Sequence, residues 1–107
     1  MNDRVRRHTE LFNASFRSGD WSPFLATFTE DAVMSFGGVP VGPFHGRAAI
    51  AEAYARQPPT DTMRVDSVRS EGDTDLVRFA WSAGGTGTMR VCWRDDQVVG
   101  LTITFDS

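Results

Sequence analysis

Asp75–Phe105, DLVRFAWSAGGTGTMRVCWRDDQVVGLTITF, decides the fold. It holds three runs of alternating character. Asp75–Ser82 sets Val77, Phe79 and Trp81 on one face and Leu76, Arg78, Ala80 and Ser82 on the other. Thr88–Arg94 sets Met89, Val91 and Trp93 against Thr88, Arg90, Cys92 and Arg94. Val98–Phe105 sets Val99, Leu101, Ile103 and Phe105 against Val98, Gly100, Thr102 and Thr104. A period of two over this length is the pattern of a half-buried strand. Ala83–Gly87 is a turn, and Asp95-Asp96-Gln97 is a tight hairpin connection, so the strands run antiparallel. Met63–Arg69 adds a less regular strand ahead of them.

Upstream the period lengthens. From about Asn2 to Ser18, Val5, Thr9, Phe12 and Phe16 recur three or four residues apart with Leu11 beside them, and Arg4, Arg6, Arg7, Glu10 and Arg17 take the other side. This predicts a helix, ended by Gly19-Asp20. Ser22-Pro23 opens a second, short helix to about Thr29, closed by Glu30-Asp31. Ala32–Phe36 alternates as a strand. Gly37–Gly46 carries four glycines and two prolines in ten residues and reads as a loop. Arg47 to about Arg56 is a third helix with Ile50 and Tyr54 on its apolar side, stopped by Pro58-Pro59. Helices in the first half and strands in the second predict a single α+β domain over residues 1–107, with three helices covering one face of a curved antiparallel sheet.

The 107 residues allow one core, with 40% hydrophobic and 23% charged residues. A net charge of -3, with no basic block beyond Arg4, Arg6 and Arg7, gives no footprint for nucleic acid. No apolar run is long enough to span a bilayer, and none follows Met1 as a leader would, so a cytoplasmic location is expected. Cys92 stands alone, without a disulfide partner or clustered ligands, and neither a metal nor another cofactor is expected.

Several short motifs now fall into order: Ser18-Gly19-Asp20 after the first helix, Phe28-Thr29-Glu30-Asp31-Ala32-Val33 into the first strand, Gly46-Arg47-Ala48-Ala49-Ile50 into the third helix, then Tyr54 and the three terminal strands. In this order and spacing the chain resembles the nuclear transport factor 2-like (NTF2-like) superfamily, in its ketosteroid isomerase-like and polyketide cyclase-like branch. The resemblance implies a cone of curved sheet closed by helices around an apolar pocket. It also implies where isomerase chemistry would sit: an oxyanion hole from a tyrosine on the first helix and a protonated aspartic acid on the penultimate strand, with a carboxylate base at the end of the first strand. Those positions hold Phe12, the Met89-Val91-Trp93 face, and Phe36. None can do the work, and a slip of one residue does not supply the groups.

The remaining polar candidates each have two readings. Tyr54 matches a pocket tyrosine of the family, or is an amphipathic core residue with its hydroxyl satisfied nearby. His45, at the loop mouth, is a general acid/base near neutrality, or a rim residue. His8 projects into the cavity or lies partly exposed on the first helix. Arg47 is expected to fix the loop by hydrogen bonds, with a salt bridge to the Glu30-Asp31 turn as one option. Asp61 and Asp66 fall on a poorly patterned segment, and Asp73 and Asp75 look like a turn and a strand start.

Three functions follow. The first is a pocket for a small apolar molecule, polyketide- or terpenoid-like, lined by Phe12, Phe16, Met34, Phe36, Tyr54, Phe79, Trp81, Met89, Val91, Leu101, Ile103 and Phe105. The second is an isomerase, cyclase or dehydratase using His45 or Tyr54, with His8 as a further group. The third is a filled core acting through a dimer. The small, mixed outer sheet face suits either solvent or sheet-to-sheet dimer packing, and the family resemblance implies a homodimer.

Overall fold

A computed structural model describes residues 3–106 of the chain. Helix α1 (Asp3–Ser18) buries Val5, His8, Thr9, Phe12 and Ser15. These fall on one helical stripe, which includes the histidine. Gly19, at φ 79°, ends the helix by donating its N–H to the Ser15 carbonyl at 2.8 Å. Helix α2 is a single turn, Ser22–Leu25, with Pro23 near its start, and the Asp20 carboxylate accepts the Ser22 N–H at 3.0 Å.

Strand β1 (Phe28–Gly37) begins four residues before the expected Ala32, and α2 stops correspondingly short of Thr29. The backbone there is claimed elsewhere. The Thr27 hydroxyl bonds back to the Phe24 carbonyl at 2.7 Å, and Val98 donates its N–H to the Thr27 carbonyl at 2.9 Å. Glu30 and Asp31 are therefore strand residues. Asp31 pairs with Arg94 at 2.7 Å, while Arg47 reaches both the Phe28 carbonyl (3.2 Å) and Glu30 (3.7 Å).

The loop after β1 contains a two-residue strand, β2 (Phe44–His45), and leads into α3 (Arg47–Arg56). Then come β3 (Met63–Glu71), β4 (Thr74–Trp81), β5 (Thr86–Arg94) and β6 (Gln97–Phe105). The six strands form one open curved sheet in the order β2-β1-β6-β5-β4-β3. β3 to β6 are the expected antiparallel meander. The join of β1 to β6, however, is parallel, so the sheet is mixed rather than wholly antiparallel. The chain between β1 and β6 runs through α3 and the meander, which is ample for the long connection that a parallel pair needs.

Bulges change the phase of two strands. At the β5–β6 hairpin, Trp93 pairs with Val98 and Cys92 with Gly100, which leaves Val99 as the extra residue. Val98 is thus buried and Val99 only half-buried, the reverse of simple alternation. Asp95 and Asp96, at φ 53° and 62°, form the hairpin turn between these strands. In β3 the extra residue is Asp66, exposed and paired with Arg64.

The narrow end of the cone is packed solid. Val5, Phe24, Phe28, Val77, Val91, Val98 and Leu101 are all nearly or fully buried there. Asp75 is buried with them. It accepts hydrogen bonds from Arg4 (2.8 Å), Ser70 (2.6 Å) and the Trp93 indole (2.9 Å), and so ties α1 to β3, β4 and β5. Burial, the largest single influence, pushes its carboxyl up, but the three donors together outweigh that and hold it below the usual value. Asp75 is a buried anchor, not merely a strand start. No helix among the described residues is long and apolar enough to cross a membrane.

Candidate functional site: an aromatic cavity at the wide end of the cone

The register of the sheet sets where packing stops. On β5 and β6 the inward pairs run Val91 with Leu101, Met89 with Ile103, and Gly87 with Phe105. The first pair is sealed under the helices. The next two face a cavity of about 540 Å³. This lies in the range of small-molecule sites, roughly 300–1,000 Å³.

The wall comes from every major element. α1 gives Phe12, β1 gives Met34 and Phe36, β2 gives Phe44, and α3 gives Ala53 and Tyr54. β3 to β6 give Met63, Phe79, Trp81, Met89, Ile103 and Phe105. The aromatic rings form a continuous band: Phe12 to Trp81 at 6.1 Å, Trp81 to Phe105 at 6.4 Å, Phe105 to Phe36 at 6.0 Å, and Phe36 to Phe44 at 6.5 Å. Phe79 joins the band at Trp81 (5.2 Å), and Gly87 makes the room for its ring. A Cβ there would meet the Phe79 ring at 2.6 Å and the Thr104 carbonyl at 2.7 Å. At the mouth, Val41 and Phe105 remain 43% exposed.

Nine of the twelve expected lining residues are on this wall: Phe12, Met34, Phe36, Tyr54, Phe79, Trp81, Met89, Ile103 and Phe105. Three are not. Val91 and Leu101 sit one tier down, at 1% and 2% exposure, in the solid core. Phe16, a turn beyond Phe12, is half-buried and off the wall. There α1 has turned to the β3 edge, where Asn13 exchanges two hydrogen bonds of 2.9 Å with the Met63 backbone.

His45 is not at the cavity. β2 pairs Phe44 with Met34 and His45 with Val33, so the face that carries Phe44 inward carries His45 out to solvent. His8 is not at the cavity either, and it is not a surface residue. It is 3% exposed among Phe24 (4.9 Å), Phe28 (6.1 Å) and Trp93 (6.2 Å), and its Nδ1 has no hydrogen-bond partner. Burial lowers its pKa to about 4. Tyr54 is buried against Phe24 (5.6 Å, stacked) and Trp21 (5.0 Å, edge-on), and its edge reaches the cavity. Burial raises its phenol well above the ordinary value, so it stays a neutral hydroxyl.

The polar part of the wall continues from Tyr54 into the α3–β3 connection, through Gln57, Thr60 and Asp61. Sequence reasoning left Asp61 aside, because its position depends on a contact across the chain. Its Oδ1 accepts the Thr62 N–H at 2.8 Å and its Oδ2 accepts the Ala83 N–H at 2.7 Å. Among the described residues no group of three His, Cys, Asp or Glu is placed to hold a metal ion.

The SnoaL-like domain model matches residues 5–100 of the chain. The chain belongs to the SnoaL-like family. Solved structures agree on the NTF2-like fold. An NTF2-like protein of unknown function from Burkholderia xenovorans superposes with a TM-score of 0.75 at 16% identity, over 98% of this chain and 84% of that one. A protein provisionally assigned as a ketosteroid isomerase, from Kribbella flavida, gives 0.74 at 16% identity, over 98% and 79%. One provisionally assigned as a polyketide cyclase, from Sinorhizobium meliloti, gives 0.71 at 21% identity, over 96% and 94%. No curated protein matches this SnoaL-like chain in sequence.

Proposed function

We propose that this SnoaL-like domain binds one small, largely apolar molecule of polyketide or terpenoid type, and that it lacks the acid/base set of the isomerase reaction. The observation that carries the reading is the cavity of about 540 Å³ bounded by phenylalanine, tryptophan and methionine side chains. The isomerase positions are part of that apolar wall: Phe12 and Phe36 line it, and so does Met89. A ligand losing about 400 Å² of apolar surface to such a wall gains roughly 10 kcal/mol. Association costs several kcal/mol of this, which leaves roughly micromolar to millimolar binding.

An isomerase, cyclase or dehydratase is the alternative, and the names of structural neighbours include the first two. Of its candidate groups, only Tyr54 faces the cavity; His45 points to solvent and His8 lies in the core. A high phenol pKa suits a fixed hydrogen-bond donor better than a base. The same proposal has the domain working in the cytoplasm as a homodimer through the outer sheet face around Arg90 and Thr102. Sedimentation velocity tests that assembly, and a monomer at all concentrations would overturn it.

A thermal-shift screen of compact apolar molecules tests the binding reading. A ligand at about one hundred times its Kd stabilises the fold by roughly 2.7 kcal/mol, a clear rise in Tm. No shift with any compound class would overturn the proposal and leave a dimeric interaction module as the better account.

A further inference from the structure

We infer that Asp61 sets the charge preference of the cavity, so that its ligand carries a hydrogen-bond-donating head, an ammonium in preference to a hydroxyl, and not a carboxylate. The inference rests on the binding reading above and adds the head group to it.

The polar side chains of the wall are gathered on one side, in Tyr54, Gln57, Thr60 and Asp61. Among the described residues that line the cavity, Asp61 alone carries a formal charge. Several carboxylates elsewhere are matched with arginines, Asp75 with Arg4, Asp31 with Arg94, Asp106 with Arg78 and Glu30 with Arg47, while Asp20, Asp73, Asp95 and Asp96, which form no such pair among the described residues, are all exposed to solvent. Asp61 has no arginine partner among the described residues, although it is half-buried.

Its position is nonetheless fixed. Besides the two amide donors, the flanking segments are stitched together. The Ser82 N–H donates to the Thr62 carbonyl at 3.0 Å, and the two hydroxyls of Thr62 and Ser82 meet at 2.6 Å. A carboxylate offers about four acceptor positions. Two are filled by backbone amides, and the others are free to receive a ligand's donor. An anchored acceptor without a counter-ion, beside an apolar wall, favours a cation at short range and repels an anion.

The test is calorimetric titration of the protein with two matched sets of probes. One set is 1-adamantanemethylamine, 1-adamantanemethanol and 1-adamantanecarboxylate. The other is the same three heads on biphenyl. The expected result is affinity in the order amine, alcohol, carboxylate, with the amine at least about tenfold tighter than the carboxylate. The preference should shrink as salt rises from about 0.01 to 1 M. Asp61→Asn should bring amine and carboxylate to within about threefold of each other. If that variant does not fold, the salt series on the unaltered protein decides.

A carboxylate binding as tightly as its amine overturns the inference and leaves the binding reading standing. So does a preference indifferent to salt, or an amine that excess alcohol cannot displace, since that amine would be bound outside the cavity. If no probe of either set binds, the binding reading falls and the head-group claim with it.

Discussion

Lowering the pH below neutrality should destabilise this protein through His8. The imidazole lies at 3% exposure among three aromatic rings, with Nδ1 unpartnered. Burial takes its pKa from 6.5 to about 4. Well above pH 6.5 neither the folded nor the unfolded chain protonates it, and its contribution to stability is fully present. As pH falls below that value the unfolded chain takes up a proton that the folded chain refuses. Stability then drops by roughly 1.4 kcal/mol per pH unit. The loss reaches about 3 kcal/mol near pH 4, a large share of the roughly 5–15 kcal/mol typical of a domain. His8→Leu keeps the site apolar and removes both the proton site and the orphaned nitrogen. Urea denaturation followed by far-UV circular dichroism should give a stability gap between variant and parent that is flat above pH 7 and widens in favour of the variant as pH falls from 6.5 to 4. Parallel pH profiles for the two proteins would refute the reasoning.

Other perturbations test other parts of the molecule. Asp75→Ala removes the buried carboxylate that Trp93, Ser70 and Arg4 share and should cost about 3 kcal/mol, whereas Asp31→Ala, at an exposed pair, should leave the denaturation midpoint almost unmoved. Gly87→Ala pushes a methyl into the Phe79 ring and the Thr104 carbonyl, so a loss of about 1–3 kcal/mol is expected in the same measurement. Ala53→Trp projects an indole from α3 into the cavity. It should leave the Tm of the free protein level or higher while abolishing any ligand-induced shift, and a retained shift would place the ligand elsewhere.

Much of this was legible in the sequence because alternation and helical spacing are local signals. α3 spans Arg47–Arg56 as its pattern implies, and the four terminal strands fall within two residues of their expected limits. Two misread residues were visible in those same patterns. His8 lies three residues after Val5 and four before Phe12, on the buried stripe, and Asp75 shares the parity of Val77 and Phe79. On the sequence alone His8 falls in the cavity or partly exposed and Asp75 at a strand start, because polar residues are usually solvated; the structure places both inside the core. The bulge that exchanges Val98 with Val99 is a matter of register between strands, and no single strand encodes it. The parallel β1–β6 join, the outward turn of His45 and the capture of Asp61 by Ala83 each depend on contacts between distant segments. The cavity itself depends on which tier the helices leave uncovered, so Val91 and Leu101 could not be told from Met89 and Ile103 by alternation alone.

Methyl NMR tests the central claim most directly, because Met34, Met63, Met89 and Ile103 line the cavity while Ile50 is fully buried away from it. With methionine and isoleucine methyls labelled and 1-adamantanemethylamine or 1-adamantanemethanol added, the four lining methyls should shift in a saturable way and Ile50 should hold still. Saturable binding that leaves Met34, Met89 and Ile103 unmoved would contradict the account.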